Sequence, residues 1–397
     1  MSTPTITEER IIAAPPATVA AAIASPFGLA NWFCDDARVE RRPRGRVVLS
    51  WHTGGQACGR WTTYDPPGHL AWSWRDETNG RESVVSFELT PAGSGTHVRV
   101  AEEGIAAENV AEVTQQWEDA LADLKAFVEE GHNARELRRP LMGISPMSVT
   151  PEEAARKGYP VERGILISEL TAGGGSEAAG LAKDDIVVRI DSHDVSDWST
   201  LTGALSNHRA GETVEVTFWR AGEQRMLPVT LKGRERPALP ETPAALREMV
   251  HRTTAEMVTA LQAALEGVDE PMAAQAPAPG EWSIKQVLAH LLVGERFSQD
   301  WMSRVACDDA LVDWPERADG LLQRVVAKAE VEELARELFD SLRMTAALVD
   351  AALDDDPTPA VFHQMAAQTH FMPTHIGEHV AQIRAAKEAV AAMAAPA

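Results

Sequence analysis

The sequence predicts a multidomain chain of three folds in series: an α+β sandwich, a small β-barrel with two helices, and an all-α four-helix bundle. Three observations carry this expectation. Alternating apolar segments broken by turn residues fill the first third of the chain, and shorter strand patterns around two helical ones follow. From Thr242 onward the apolar period is helical almost throughout. Two stretches rich in polar, charged or proline residues, 131–140 and 233–243, interrupt these patterns and read as linkers. The domains are therefore placed at 1–131, 138–232 and 242–394. At 397 residues the chain is also too long for one small core.

The first module opens on an alternating strand at 6–12. Short helices follow at 17–23 and 27–33, then strands at 47–51, 60–64, 70–74, 84–89 and 97–101. Gly54-Gly55, Pro66-Pro67-Gly68, Asn79-Gly80 and Gly93-Ser94-Gly95 supply the turns between them. A helix at 110–129 closes the module, with Val113, Trp117, Leu121, Leu124 and Val128 on one face. A long helix laid on a curved antiparallel sheet leaves an apolar gap between the layers. Trp32, Trp51, Trp61, Trp72, Trp74 and Trp117 lie in this module. They are candidate walls of a ligand cavity; the simpler reading is that they fill the core. The element order, with Pro16-Ala17-Thr18-Val19 and Phe27-Gly28-Leu29-Ala30-Asn31-Trp32-Phe33, resembles the helix-grip SRPBCC (START-like) superfamily. Within it, these two segments resemble the branch related to the C-terminal domain of the heat-shock protein 90 ATPase activator. That resemblance implies a cavity for a small apolar ligand and no defined reaction.

In the second module, strands are expected at 164–170 and 185–190, helices at 176–181 and 199–207, and a hairpin at 213–220 and 225–231. Thr150-Pro151-Glu152-Glu153-Ala154-Ala155, Gly164-Ile165-Leu166-Ile167 and Ser176-Glu177-Ala178-Ala179-Gly180-Leu181 resemble the PDZ domains of HtrA-type proteases. The resemblance implies that Leu141, Met142, Gly143 and Ile144 form the loop that takes a peptide carboxylate, beside a strand that accepts a protein C-terminus or an internal peptide. Two residues depart from the family pattern. Pro146 has no N–H to offer an added strand, and Asp184 stands where the family has the glycine of a Gly-Asp pair. Nothing in the chain resembles a serine-protease nucleophile loop, so proteolysis is not implied.

The third module reads as four helices, from the Thr242 cap to about 267, 283–305, 331–353 and 359–393, with loops at 275–280 and 307–320. Pro373 is expected to bend or interrupt the last helix. His375 and His379 are four residues apart, which stacks both imidazoles on one helical face, and His290 lies in a separate helix. If those helices are neighbours, three neutral imidazoles can meet at one divalent metal and leave a coordination position open, as catalytic sites do. Glu378 turns away from that face, and Glu295 is a weak candidate for support. His363 and His370, seven apart on one face, could reach the bundle interior as further ligands, but the simpler reading is a helix-surface role. Trp282-Ser283 leading to Val287-Leu288-Ala289-His290-Leu291, with His375-x-x-x-His379-x-x-Gln382-Ile383, resembles the DinB superfamily. The resemblance implies a divalent metal, zinc or nickel, on His290, His375 and His379. It also implies, for some members, transfer chemistry with a low-molecular-weight thiol.

The formal net charge of −22 is unevenly spread: 11 basic and 19 acidic residues in 1–132, 14 and 15 in 133–236, and 12 and 25 in 237–397. None of the three has the basic surface that a phosphate backbone or an anionic membrane needs, which argues against nucleic-acid and membrane partners. No apolar run reaches the length of a membrane span, and the N-terminus shows no signal-peptide pattern. Cys34, Cys58 and Cys307 are odd in number and irregularly spaced, which suits a reducing cytoplasm. Two functions remain open. One is a metal-dependent, thiol-using transferase or hydrolase acting on an apolar small molecule. The other is a non-enzymatic ligand- and peptide-binding adaptor in a stress or chaperone-related pathway.

Overall fold

The computed structural model describes residues 4–51, 55–77, 80–206, 208–234, 237–307, 316–354 and 356–394. Gly54, Asn79 and most of the loop expected at 307–320 lie outside the described residues. The chain divides into two compact units, Met1–Glu129 with Asn133–Arg236, and Glu130–His132 with Pro237–Ala397.

The first unit begins with β1 (Thr5–Ile12), α1 (Pro16–Ala24), α2 (Pro26–Trp32), β2 (Asp36–Val39), β3 (Arg46–Ser50), β4 (Gln56–Asp65), β5 (His69–Asp76), β6 (Glu82–Ala92) and β7 (Gly95–Glu103). The strands form one antiparallel sheet ordered β1-β7-β6-β5-β4-β3-β2. Strict alternation directs Val85, Phe87 and Leu89 of β6 and Val98 and Val100 of β7 to the buried face. Prolines in the first turns open α1 and α2, and the Ser25 hydroxyl caps α2 by accepting from Gly28 N at 2.9 Å. A Cβ on Gly28 would lie 2.2 Å from the Ala22 carbonyl oxygen, so only glycine lets these two helices meet so closely. The long helix α3 (Val110–Glu130) buries Val113, Trp117, Leu121, Leu124 and Val128, the face read from the sequence. Trp117 meets Phe87 of the sheet with ring centroids 5.7 Å apart. A one-turn helix, α4 (Ala134–Arg138), follows where a linker is expected.

The remainder of this unit runs β8 (Ile144–Val149), α5 (Pro151–Lys157), β9 (Gly164–Leu170), α6 (Gly175–Ala179), β10 (Ile186–Ile190), β11 (His193–Asp194), α7 (Trp198–Leu205), β12 (Thr213–Arg220) and β13 (Glu223–Thr230). Its sheet is ordered β13-β12-β10-β9-β8, with β11 on β10, so β8 is an edge strand. Pro146 sits on that edge, where a missing donor costs least. Asp197 and Thr200 form a reciprocal capping box that starts α7, each backbone N–H donating to the other side chain at 2.9 Å. That network, led by the bond from Thr200 N, holds the Asp197 carboxyl below its usual range.

The second unit is helical: α8 (Pro243–Leu265), α9 (Glu270–Ala274), α10 (Ile284–Ala306), α11 (Glu316–Val326), α12 (Val331–Asp354) and α13 (Pro359–Ala394). Leu261, Val287, Leu288, Leu291, Leu338, Leu342, Ile376 and Ile383 join α8, α10, α12 and α13 in one core. Two short helices, α9 and α11, add to the four expected. Helix α13 runs unbroken through Pro373, contrary to the expected interruption. Met365 and Met372 before the proline, and Ile376 and Val380 after it, are buried, so packing on both sides holds the helical turns through it.

Candidate metal centre, cavity and groove

The helical unit assembles its histidine cluster from α10 and α13. Ser283 and Gln286 make a capping box that fixes where α10 begins. The buried Leu288, Leu291 and Leu292 then set the rotation that brings His290 to the border of the core. On α13, Ile376 and Val380 are buried beside His375 and His379. Ring centroids lie 5.5 Å apart for His290 and His375, 4.8 Å for His290 and His379, and 4.7 Å for His375 and His379. One nitrogen from each ring falls within 4.8 Å of the other two. Tetrahedral zinc needs nitrogens roughly 3.3 Å apart, from bonds of about 2.0–2.1 Å, so modest ring rotations would close the site. The donor set fits a borderline divalent metal such as zinc or nickel: three imidazoles, with neither carboxylate nor thiol among them.

Two amides flank the cluster. His379 Nδ1 is 2.8 Å from Gln382 Oε1, and His290 Nδ1 is 3.2 Å from Gln323 Nε2. Trp282 packs on His290 with centroids 5.1 Å apart. His375 is the most open ring, yet packed atoms about it and then His379 push its pKa below the usual imidazole value, with Glu378 opposing. Glu378 is exposed, as its helical angle requires. Glu295 is buried and accepts from the Thr345 hydroxyl at 2.8 Å; burial raises its pKa to about 7. His363 faces His132 at 6.1 Å and His370 packs on Phe371, and neither joins the cluster.

Between α3 and the first sheet lies a cavity of about 410 Å³, within the range of small-molecule sites. Trp32, Trp51, Trp74 and Trp117 line it together with Phe33. Trp61 and Trp72 are not among its walls; their rings meet edge to face at 5.3 Å and are fully buried. The cavity is not purely apolar. The buried Glu102 accepts from Trp117 Nε1 at 2.8 Å and from Arg81 at 3.4 Å, and all three line it. The sequence carries a signal for this carboxylate, since Glu102 continues the inward row of Val98 and Val100.

In the second sheet domain, a groove between β8 and α7 is lined by Leu141, Met142, Gly143 and Ile144, with Pro146, Trp198, Leu201 and Leu205. Met142 O accepts from Ser176 N and Gly143 O from Thr171 N, at 2.9 and 3.0 Å. In planar trans peptides this turns the N–H groups of Gly143 and Ile144 to the opposite side of the loop. Gly143 has φ +80°, and a Cβ there would lie 2.9 Å from Gly174 Cα.

Family models match these three regions in turn: Activator of Hsp90 ATPase homolog 1-like protein at residues 13–129, PDZ domain at 140–231, and DinB superfamily at 231–383. The chain carries an activator-like domain, a PDZ domain and a DinB-superfamily domain, in that order. A probable periplasmic serine endoprotease DegP-like of Rhizobium meliloti is 33% identical over 82 residues, covering 21% of this chain and 16% of that protein. The zinc metalloprotease RasP of Geobacillus kaustophilus is 34% identical over 74 residues, covering 19% and 17%. The chain thus spans between 16% and 34% of the length of the curated relatives it matches. Similar solved structures include protein MLL2253 of Mesorhizobium loti, at 24% identity over 31% of this chain and 94% of that chain, TM-score 0.29. The Aha1 dimer of Colwellia psychrerythraea is 19% identical over 31% and 95%, TM-score 0.28. Among the described residues no helix is long and apolar enough to cross a membrane.

Proposed function

We propose that the DinB-type domain binds one divalent metal, zinc or nickel, through His290, His375 and His379, and serves a thiol-dependent transfer or a hydrolysis. The observation that supports this is the convergence of three imidazoles from two helices, with ligand atoms within 4.8 Å of one another. A divalent metal held by three protein ligands lowers the pKa of a bound water or thiol and so supplies a nucleophile at neutral pH. The protein's part is to hold the rings in place and leave one side open, and the exposed His375 marks that side. We assign the tryptophan-lined cavity to capture of a small molecule and the PDZ groove to a C-terminal or internal peptide. The three unpaired cysteines support a reducing, cytoplasmic setting.

Metal analysis of the purified full chain tests the first step. The wild type should carry close to one equivalent, and alanine at His290, His375 or His379 should lower it at least tenfold. Alanine at His363 or His370 should leave it unchanged. A metal-free wild type, or a His290→Ala variant that keeps its metal, would end this reading. Thiol transfer to 1-chloro-2,4-dinitrobenzene tests the second step. A metal-loaded protein without transfer or hydrolysis would leave the adaptor reading, which the cavity and the groove support by themselves.

A further inference from the structure

We propose that Gln323 is a positioning residue for the metal centre, and that metal binding and the docking of α11 are coupled through it. The inference rests on the metal reading above and goes beyond the three ligands. Helix α11 packs against α10, and Gln323 brings its carboxamide to 3.2 Å from His290 Nδ1. An imidazole that binds metal through Nε2 carries its proton on Nδ1 and needs an acceptor there. With nitrogen facing Nδ1 the amide would donate; turned over, its carbonyl accepts, and the two orientations fill the same space. The same device already stands on the other ring, where Gln382 Oε1 faces His379 Nδ1 at 2.8 Å.

Gln382 belongs to α13 itself, three residues from its histidine, so that bond is local. Gln323 instead reaches across 33 positions of sequence from a separate helix. Val326 of α11 packs against the core, but Leu321, Leu322 and Val325 are exposed, so much of this helix's apolar surface adds little to holding it in place. One hydrogen bond therefore counts for more in α11 than it would in α10 or α12. Whatever fixes the His290 ring strengthens the bond to Gln323, and by linkage whatever holds Gln323 strengthens metal binding.

The experiment uses the full chain with zinc. Hydrogen exchange of residues 316–326 is measured with and without the metal, and zinc affinity is measured by competition with a chromophoric chelator. Zinc should slow exchange in α11 of the wild type. Gln323→Met, which keeps the length and loses the acceptor, should abolish the slowing and weaken zinc binding about tenfold or more. Gln323→Glu, which restores an acceptor, should recover both. If Gln323 merely fills space, the methionine variant will match the wild type, and the proposal fails. It fails equally if the methionine variant binds zinc more tightly, since the amide would then be competing with the metal for Nδ1. A wild type that binds no zinc, or binds it unaffected by His379→Ala, removes the metal reading itself.

Discussion

Asp184 has a backbone φ of +70°, a left-handed conformation that glycine adopts freely and other residues pay for in steric strain. Its N–H donates to Ile167 O at 2.9 Å, so the backbone is tied into the sheet and cannot relax. The next residue, Asp185, is fully buried and accepts two bonds from Arg220, at 2.6 and 2.7 Å, and one from Ala182 N at 2.8 Å. The sequence shows a departure from the family's Gly-Asp pair, and the left-handed φ explains why glycine is usual there. Asp184→Gly should therefore raise stability by about 0.5 kcal/mol or more, strain relief exceeding the entropy glycine adds to the unfolded chain. A urea midpoint that moves downward would refute this. The clustering of His290, His375 and His379 was legible for a similar reason, because residue type and i, i+4 spacing are both written in sequence. Gln323 was not, since an amide partner carries no spacing rule and its helix is short.

At the level of elements, long amphipathic helices and alternating strands were legible because each has a face to bury. α3, α10 and α12 begin or end within a residue or two of where periodicity placed them. β2, α4, α5 and α9 escaped because elements of four to seven residues are shorter than the window that reveals a period, and the eleven residues of α11 only just fill it. The interior of the bundle also holds what an apolar pattern hides. Gln299 donates to Ser341 and Thr345, Thr345 donates to Glu295, and Gln368 donates to Ser298. Burial raises Glu295 to about 7 from an ordinary 4.5. Between those values the folded protein holds a proton that the unfolded chain releases, so stability falls as pH rises through this window and stays lower above it. The whole effect is about 3 kcal/mol. Glu295→Gln should be close to neutral at pH 5 and stabilising by up to that amount at pH 8, read from urea unfolding by circular dichroism. An equal difference at both pH values would show that charge burial is not the cause.

For the whole molecule, the two stretches read as linkers from sequence differ in how they are held. Residues 131–140 include α4, and the arginines of α4 and its C-cap engage carboxylates of the activator-like domain. Arg138 binds Asp123 through two bonds of 2.6 Å, Arg135 binds Asp35 at 3.0 Å, and Arg139 binds both Asp35 and Glu136. Asp35 and Asp123 are nearly inaccessible, with side-chain exposures of 6% and 4%, so these pairs are less screened than surface ones. Arg234 adds a further bond to Glu136 at 2.9 Å. By contrast residues 237–242 lie outside any helix or strand and are mostly exposed or half-buried. A protease needs a locally unfolded segment of several residues, and the second stretch offers one at lower cost. Brief thermolysin digestion should therefore cut first near 233–243, at one division between the two compact units, and separate residues 244–394 from the rest of the chain. Cleavage within 131–140 should come later and be hastened by Arg138→Ala or by high salt, giving the three fragments expected from the sequence. First cleavage at 131–140, or cleavage there indifferent to Arg138, would mean that the arginine clamp does not hold this segment.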